Sequence, residues 1–263
     1  MKAGHKRFPP VAALAAFLLL VPAALAQVSR GKPKDAAASV KELAVPYRAG
    51  ETLNYRVAWT AFANAATVQL SVPEKRDFFG WRTWHLRALA HTLNPARALF
   101  AIDDQFDSYT DATTLESRQY EMYLNEMGEK EQHVLHFVPA GKTSRAPGPS
   151  VVVLPDTRDP LGALYALRSV DWQRTPELRV PVCDGRDIYE MDAKLEAASE
   201  QVTVDAGSFS ASRISIRVSR NGKEVMGVRF TVWLANNATR TPVQMQAELP
   251  FGNVRIGLTS ASQ

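Results

Sequence analysis

From Pro46 onward, apolar and polar residues alternate along the chain with a period of two. Tyr55, Val57 and Trp59 share one parity, and Asn54, Arg56 and Ala58 take the other. This is the pattern of a strand with one buried face. Val68, Leu70 and Val72 repeat it, as do Trp84, Leu86, Ala88 and Ala90 with His85, Arg87, Leu89 and His91 opposite. The stripe continues through Phe100, Ile102, Asp104 and Phe106, then Arg118, Tyr120, Met122 and Leu124, then Val134, His136 and Val138. The last third carries five more: Val202–Val204, Ile214–Val218, Val228–Leu234, Val243–Leu249 and Val254–Leu258. Turn chemistry joins them as hairpins. Asn125 to Lys130 turns at Met127-Gly128, and Arg220-Asn221-Gly222-Lys223 is the strongest signal, because Asn-Gly adopts the positive φ angles of a type I′ turn.

A single segment breaks the period. Pro160 follows Asp156 to Asp159, and Leu161, Leu164, Tyr165 and Arg168 then recur at helical spacing. Asp159 as N-cap with Pro160 in the first turn predicts a helix near 159–169. About a dozen strands and one short helix predict an all-β, mainly antiparallel fold, a curled sheet forming a barrel or open half-barrel. A two-sheet sandwich is the alternative. Residues 45–263 are read as a single β-rich domain, with a Pro/Gly/Ser-rich loop at 139–150 dividing an early set of strands from a later one.

Charge changes the picture through its location. The 263 residues carry 31 Lys+Arg against 27 Asp+Glu, a net +4. Three of the basic residues, Lys2, Lys6 and Arg7, precede an apolar run from Val11 to Val21, and Ala24-Leu25-Ala26 follows Pro22. This is a secretory signal with cleavage expected after Ala26. Residues 27–44 are small, polar and basic, a flexible leader. The remainder is close to neutral, so a nucleic-acid partner loses its basis. Outside the signal, no apolar run reaches the length of a membrane-spanning helix. The expected location is the periplasm, and an integral membrane protein is not expected. The one cysteine, Cys183, has no partner within the chain and is read as a half-buried, inert thiol at a strand end.

Candidate chemistry is sparse. Gly141-Lys142-Thr143 lacks the first glycine of a phosphate loop and runs into Pro147 and Pro149 rather than a helix. His133 and His136 point to opposite faces of a strand, and His85 and His91 lie about 20 Å apart along one at ~3.3 Å per residue, so no metal site is expected. Asp103, Asp107 and Asp111 share one strand face and are read as solvated. No catalytic constellation and no cofactor is predicted. The aromatic residues are more suggestive. Tyr55, Trp59, Trp84, Phe106, Tyr120 and Phe230 sit on strands and are the candidate lining of an apolar cavity for a lipid-like ligand. Trp233 has the parity opposite to Phe230.

Several stretches together resemble a known family. They are Pro46 to Leu53 with Tyr55-Arg56-Val57, Phe106-Asp107-Ser108-Tyr109, Asp159 to Arg168, Pro181 to Gly185, Val232-Trp233-Leu234, Arg240 to Val243 and Gly252-Asn253-Val254. The combination is similar to a family of exported Gram-negative bacterial proteins catalogued as a domain of unknown function. The resemblance spans roughly 46–260 and implies export and a β-rich fold, and it implies no reaction. It also implies structural roles for Arg168 and Arg240, which would be buried against carboxylates to pin the helix and the last hairpin. Three functions follow as expectations. The first is a non-enzymatic carrier of a lipid-like or other amphiphilic envelope molecule. The second is an envelope assembly protein that meets a protein partner through a strand edge or the 139–150 loop. The third is a polymer hydrolase using Asp103, Asp104 or Asp107.

Overall fold

The computed structural model describes residues 41–60, 62–141, 148–250 and 252–262. The expected signal segment 1–26, leader residues 27–40 and loop residues 142–147 lie outside them. The first seven strands are β1 (Thr52–Trp59), β2 (Phe62–Phe78), β3 (Trp81–Thr92), β4 (Asp103–Asp111), β5 (Ser117–Glu126), β6 (Glu129–Pro139) and β7 (Ser150–Val153). Helix α1 (Pro160–Ser169) comes next. The chain ends with β8 (Glu177–Cys183), β9 (Ile188–Val204), β10 (Gly207–Arg220), β11 (Lys223–Glu224), β12 (Arg229–Ala235), β13 (Pro242–Leu249) and β14 (Gly252–Ser262).

All strands belong to one sheet, in the order β7-β6-β5-β4-β3-β2-β1-β14-β13-β12-β10-β9-β8, with β11 attached to β10. Two meanders run away from a central β1–β14 pair. Every named pairing is antiparallel except β6–β7, so the sheet is mixed. The two predicted turns form as read. Met127 and Gly128 have φ 53° and 88°, and Asn221 and Gly222 have φ 52° and 73°, each pair left-handed as a type I′ turn requires. The meanders divide at α1 rather than at the 139–150 loop, because β7 returns beside β6 in the first meander.

The sheet curls into a nearly closed barrel, and Thr157 to Asp159 fill the seam. Ser117 N donates to Thr157 O at 3.1 Å, Arg158 N to Pro181 O at 3.0 Å, and Cys183 N to Arg158 O at 2.8 Å. These bonds join β5 to β8 through a single strand-like segment. It then feeds α1, whose residues Pro160 to Arg168 are all buried. A helix apolar around its circumference belongs inside a core, and here it fills one end of the barrel. Gly162 permits the approach: a Cβ there would lie 2.9 Å from Ser117 Oγ and 3.0 Å from Thr110 Cγ2.

The antiparallel register defines the two ends. The helix end holds the start of β1 and the β12–β13 turn. The opposite end holds the end of β1, the start of β2, the end of β3, the start of β12 and the β13–β14 turn. There Trp59 stacks near Phe62 at 5.9 Å and meets Phe100 edge-on at 5.6 Å. Phe100 itself lies outside β4, after a short 3-10 turn at Ala96–Ala98.

One feature escapes the two-face pattern. Trp233 points outward from β12 yet is buried. The long β9–β10 hairpin folds back over the outer surface, its tip held by Ala206 N to Leu258 O at 3.0 Å and Arg56 to Asp205 at 2.6 Å. Glu200 on that arm accepts from Trp233 Nε1 at 3.4 Å.

Candidate functional site

Inward-facing residues of both meanders leave an apolar cavity of about 70 Å³ between α1 and the far end of the barrel. Val68, Leu70, Ala88 and Phe106 line one side, Phe230, Val232, Met245, Ala247 and Ile256 the other, and Pro160, Leu161 and Leu164 of α1 close it. Strand alternation puts these side chains on one face, and curling brings that face around the space.

The six aromatic candidates do not converge. Phe106 and Phe230 line the cavity. Tyr120 is fully buried behind it, its ring 6.3 Å from that of Phe106. Tyr55 is core, its hydroxyl donating to Pro242 O at 2.9 Å. Trp84 packs edge-on against Tyr47 at 5.3 Å with the Lys75 ammonium over its ring. Trp59 belongs to the aromatic group at the barrel end away from α1. The remaining lining is aliphatic. Its stripes are visible in the sequence, but which stripes oppose one another depends on the closure of the sheet.

The helix end is polar and tightly partnered. Arg168 is fully buried and donates from Nη1 and Nη2 to the two carboxylate oxygens of Glu51 at 2.6 and 2.8 Å, and to Thr239 O at 3.1 Å. The rings of Tyr47 and Tyr165 flank its guanidinium at 5.3 and 4.9 Å. Arg240 meets main-chain carbonyls instead of the expected carboxylate, donating to Val170 O at 2.9 Å. A helix C-terminus offers unpaired carbonyls, and a cation fits there without an acid. Asp159 caps α1, accepting from Gly162 N at 2.8 Å, and holds the hydroxyls of Ser108 and Ser117. Burial raises its pKa, against the hydrogen bonds from Ser108, Ser117 and the helix backbone.

The acidic run on β4 is not the solvated face the sequence suggests. Asp107 is 1% exposed and accepts from Arg87 Nε at 2.7 Å and Gln105 Nε2 at 2.6 Å, with His85 Nε2 at 2.5 Å. Burial raises its pKa, but these partners outweigh burial and the net shift is downward. Asp111 is held by Arg118 at 2.8 Å and Asp103 by Arg97 at 2.6 Å. Strands β3 and β5 and the turn before β4 supply the charged partners, and spacing along β4 alone does not show them. Asp104 differs. It faces inward opposite Ala90, two residues from Phe106, and receives Asn125 N at 2.9 Å. Burial pushes its pKa up to about 7, with Glu126 and Asp103 adding to the rise. Cys183 is fully buried rather than half-buried, and burial raises its pKa to about 11, so it remains a thiol.

A curled sheet around an apolar space, with no described helix long and apolar enough to cross a membrane, defines a β-barrel-like protein with an internal cavity. The chain belongs to the family described as "Protein of unknown function (DUF3108)", whose profile matches residues 54–259. No curated protein matches it by sequence. Among solved structures it is similar to a β-barrel-like protein of the domain of unknown function DUF1849 from Brucella abortus, at 9% identity and TM-score 0.50, covering 83% of this chain and 99% of that one. It also matches a lipoprotein candidate from Parabacteroides distasonis at 9% identity and TM-score 0.39, covering 84% and 100%. A third match is a hypothetical protein from Chlamydia trachomatis at 6% identity and TM-score 0.39, covering 82% and 88%.

Proposed function

We propose that this chain is an exported, non-enzymatic binding protein of the Gram-negative envelope that holds the apolar part of an amphiphile inside its barrel. The signal-like N-terminus supports export, and the apolar cavity carries the binding reading. At about 70 Å³ the cavity is roughly half the size of an engineered apolar cavity of ~150 Å³ that admits benzene. Its occupant is therefore the end of an unbranched chain, and entry widens the space. The lining allows this, because Met245 is unbranched and adaptable and the cavity is apolar enough to stay dry when empty. The acids once eligible for hydrolysis are tied to structural partners in the case of Asp103 and Asp107.

The test is native mass spectrometry and organic extraction of the mature protein purified from its envelope. A co-purifying amphiphile supports the reading, and its release by the cavity-filling substitution Ala88→Leu locates it. Protein that is ligand-free and gains no mass on incubation with C8–C12 amphiphiles excludes it.

A second reading has its own observation. Terminal strand β7 exposes Val152 at 67%, and the following Leu154 is 55% exposed. An apolar sheet edge suits strand addition by an envelope partner. Cross-linking from position 152 that yields no discrete adduct in cells counts against it.

A further inference from the structure

We propose that the barrel recognises an oxyanion headgroup through Arg213, Arg217 and Arg229, so that its ligand is an anionic amphiphile. This rests on the cavity reading above and adds the other half of the ligand.

A groove of about 300 Å³ lies on the outer surface where β12 begins, lined by these three arginines with Ser215, Glu196 and Glu248. The β10–β12 register runs to Ile216↔Phe230. The ladder ends there, and Arg217 and Arg229 are the next residues beyond that last pair on the two strands, both in the same groove. Like charges crowded together on neighbouring strands disfavour a sheet. Other outer-surface arginines are paired with acids: Arg179 with Asp192 at 2.7 Å, Arg220 with Asp187 at 2.7 Å and Arg56 with Asp205 at 2.6 Å.

Acids stand beside Arg217 and Arg229, but none forms an ion pair with either among the described residues. Asp192, opposite Arg217 on β9, is engaged by Arg179. Glu196 accepts from Ser215 Oγ at 2.8 Å. Glu248, opposite Arg229 on β13, makes no ion pair with it among the described residues. Arg213 reaches Glu200 only at 3.5 Å, and its Nε has no hydrogen-bond partner there. Three guanidinium forks exceed what the two oxygens of a carboxylate can engage, and a phosphate is the better match.

The position of the groove ties it to the cavity. Phe230 and Thr231 contribute to both linings. Arg229 is the first residue of β12, at the barrel end away from α1. A chain end in the cavity and a phosphate in the groove thus meet across the same two residues.

Calorimetric titration of the mature protein with decyl phosphate, decyl maltoside and inorganic phosphate tests the assignment. Wild type is expected to bind decyl phosphate about tenfold or more tighter than decyl maltoside. The double variant Arg217→Gln, Arg229→Gln should lose that preference and keep its maltoside affinity, and Arg217→Lys, Arg229→Lys should recover part of it. An unchanged preference in the Gln variant overturns the headgroup assignment and leaves the cavity reading standing. Arginine-dependent binding of inorganic phosphate with neither amphiphile bound supports the groove as a free-phosphate site and removes the cavity reading. No binding of any of the three overturns both.

Discussion

The two ends of the barrel solve opposite problems. At the helix end the charged groups are partnered: buried Arg168 with Glu51, buried Asp159 with two serines and a helix N–H, and half-buried Arg240 with helix carbonyls. At the other end the inward residues are mostly apolar, the space between them is unfilled, and Arg217 and Arg229 line an outer groove without an ion pair among the described residues. The first arrangement fixes the helix and the seam. The second leaves apolar volume and two arginines outside any ion pair among the described residues, both of which favour a ligand over the empty protein. Stability is concentrated where the chain closes, and binding features lie where it does not.

Substitution at Arg168 should break this contrast most severely. Arg168→Met leaves Glu51 buried without its partner, and removing one member of a buried pair costs about 3–5 kcal/mol. Urea denaturation should show that loss, and Glu51→Leu combined with Arg168→Met should recover much of it. Equal stability of wild type and the single variant would mean the pair is not what holds α1.

Asp104 brings a titratable group beside the cavity. Its folded pKa of about 7 lies above the ordinary aspartate value of 3.8, so between these the folded form retains a proton the unfolded chain has released. Stability should therefore fall as pH rises from about 4 to 7, by up to about 4 kcal/mol, and stay level above. Asp104→Asn should flatten this slope and raise the melting temperature at pH 8. A wild-type profile without that slope removes the assignment.

Cavity filling gives a smaller and more selective effect. Ala88→Leu projects into empty space and should change stability by less than about 1 kcal/mol, whereas Ala193→Leu, buried away from the cavity lining, should cost about 1–3 kcal/mol. Comparable losses in both would show that the space is not available. The smallest effect belongs to Arg217→Gln with Arg229→Gln. Relief of the opposed charges should raise stability by about 0.2–1 kcal/mol in low salt and by less in high salt. A loss there would mean the arginines are structural.

Much of this is legible along the chain. Alternation identified the strands around Tyr55, Val68, Leu86, Ile214, Val232 and Val254, Asn221-Gly222 identified its hairpin, and Asp159-Pro160 identified the start of α1. These features depend on residues close in sequence. The site was less legible. Phe106 and Phe230 line the cavity, but Tyr55, Trp59, Trp84 and Tyr120 serve the core or the barrel end, since an inward stripe says nothing of what lies opposite. Asp107 looked solvated because its arginine and histidine come from β3, and Trp233 looked like a face violation because its cover is a distant hairpin.

The sequence by itself determined the strand faces, the type I′ turns, the helix cap and the placement of net charge at the N-terminus, because each follows from local backbone preference or simple position. Tertiary structure decided which stripes oppose one another, that α1 fills only one end, that Glu51 meets Arg168 across 117 positions and that Arg217 and Arg229 share one groove. These depend on the order and curvature of a sheet whose central pair joins the first strand to the last. Nothing in a single strand specifies its neighbour's register or the space enclosed when the sheet curls.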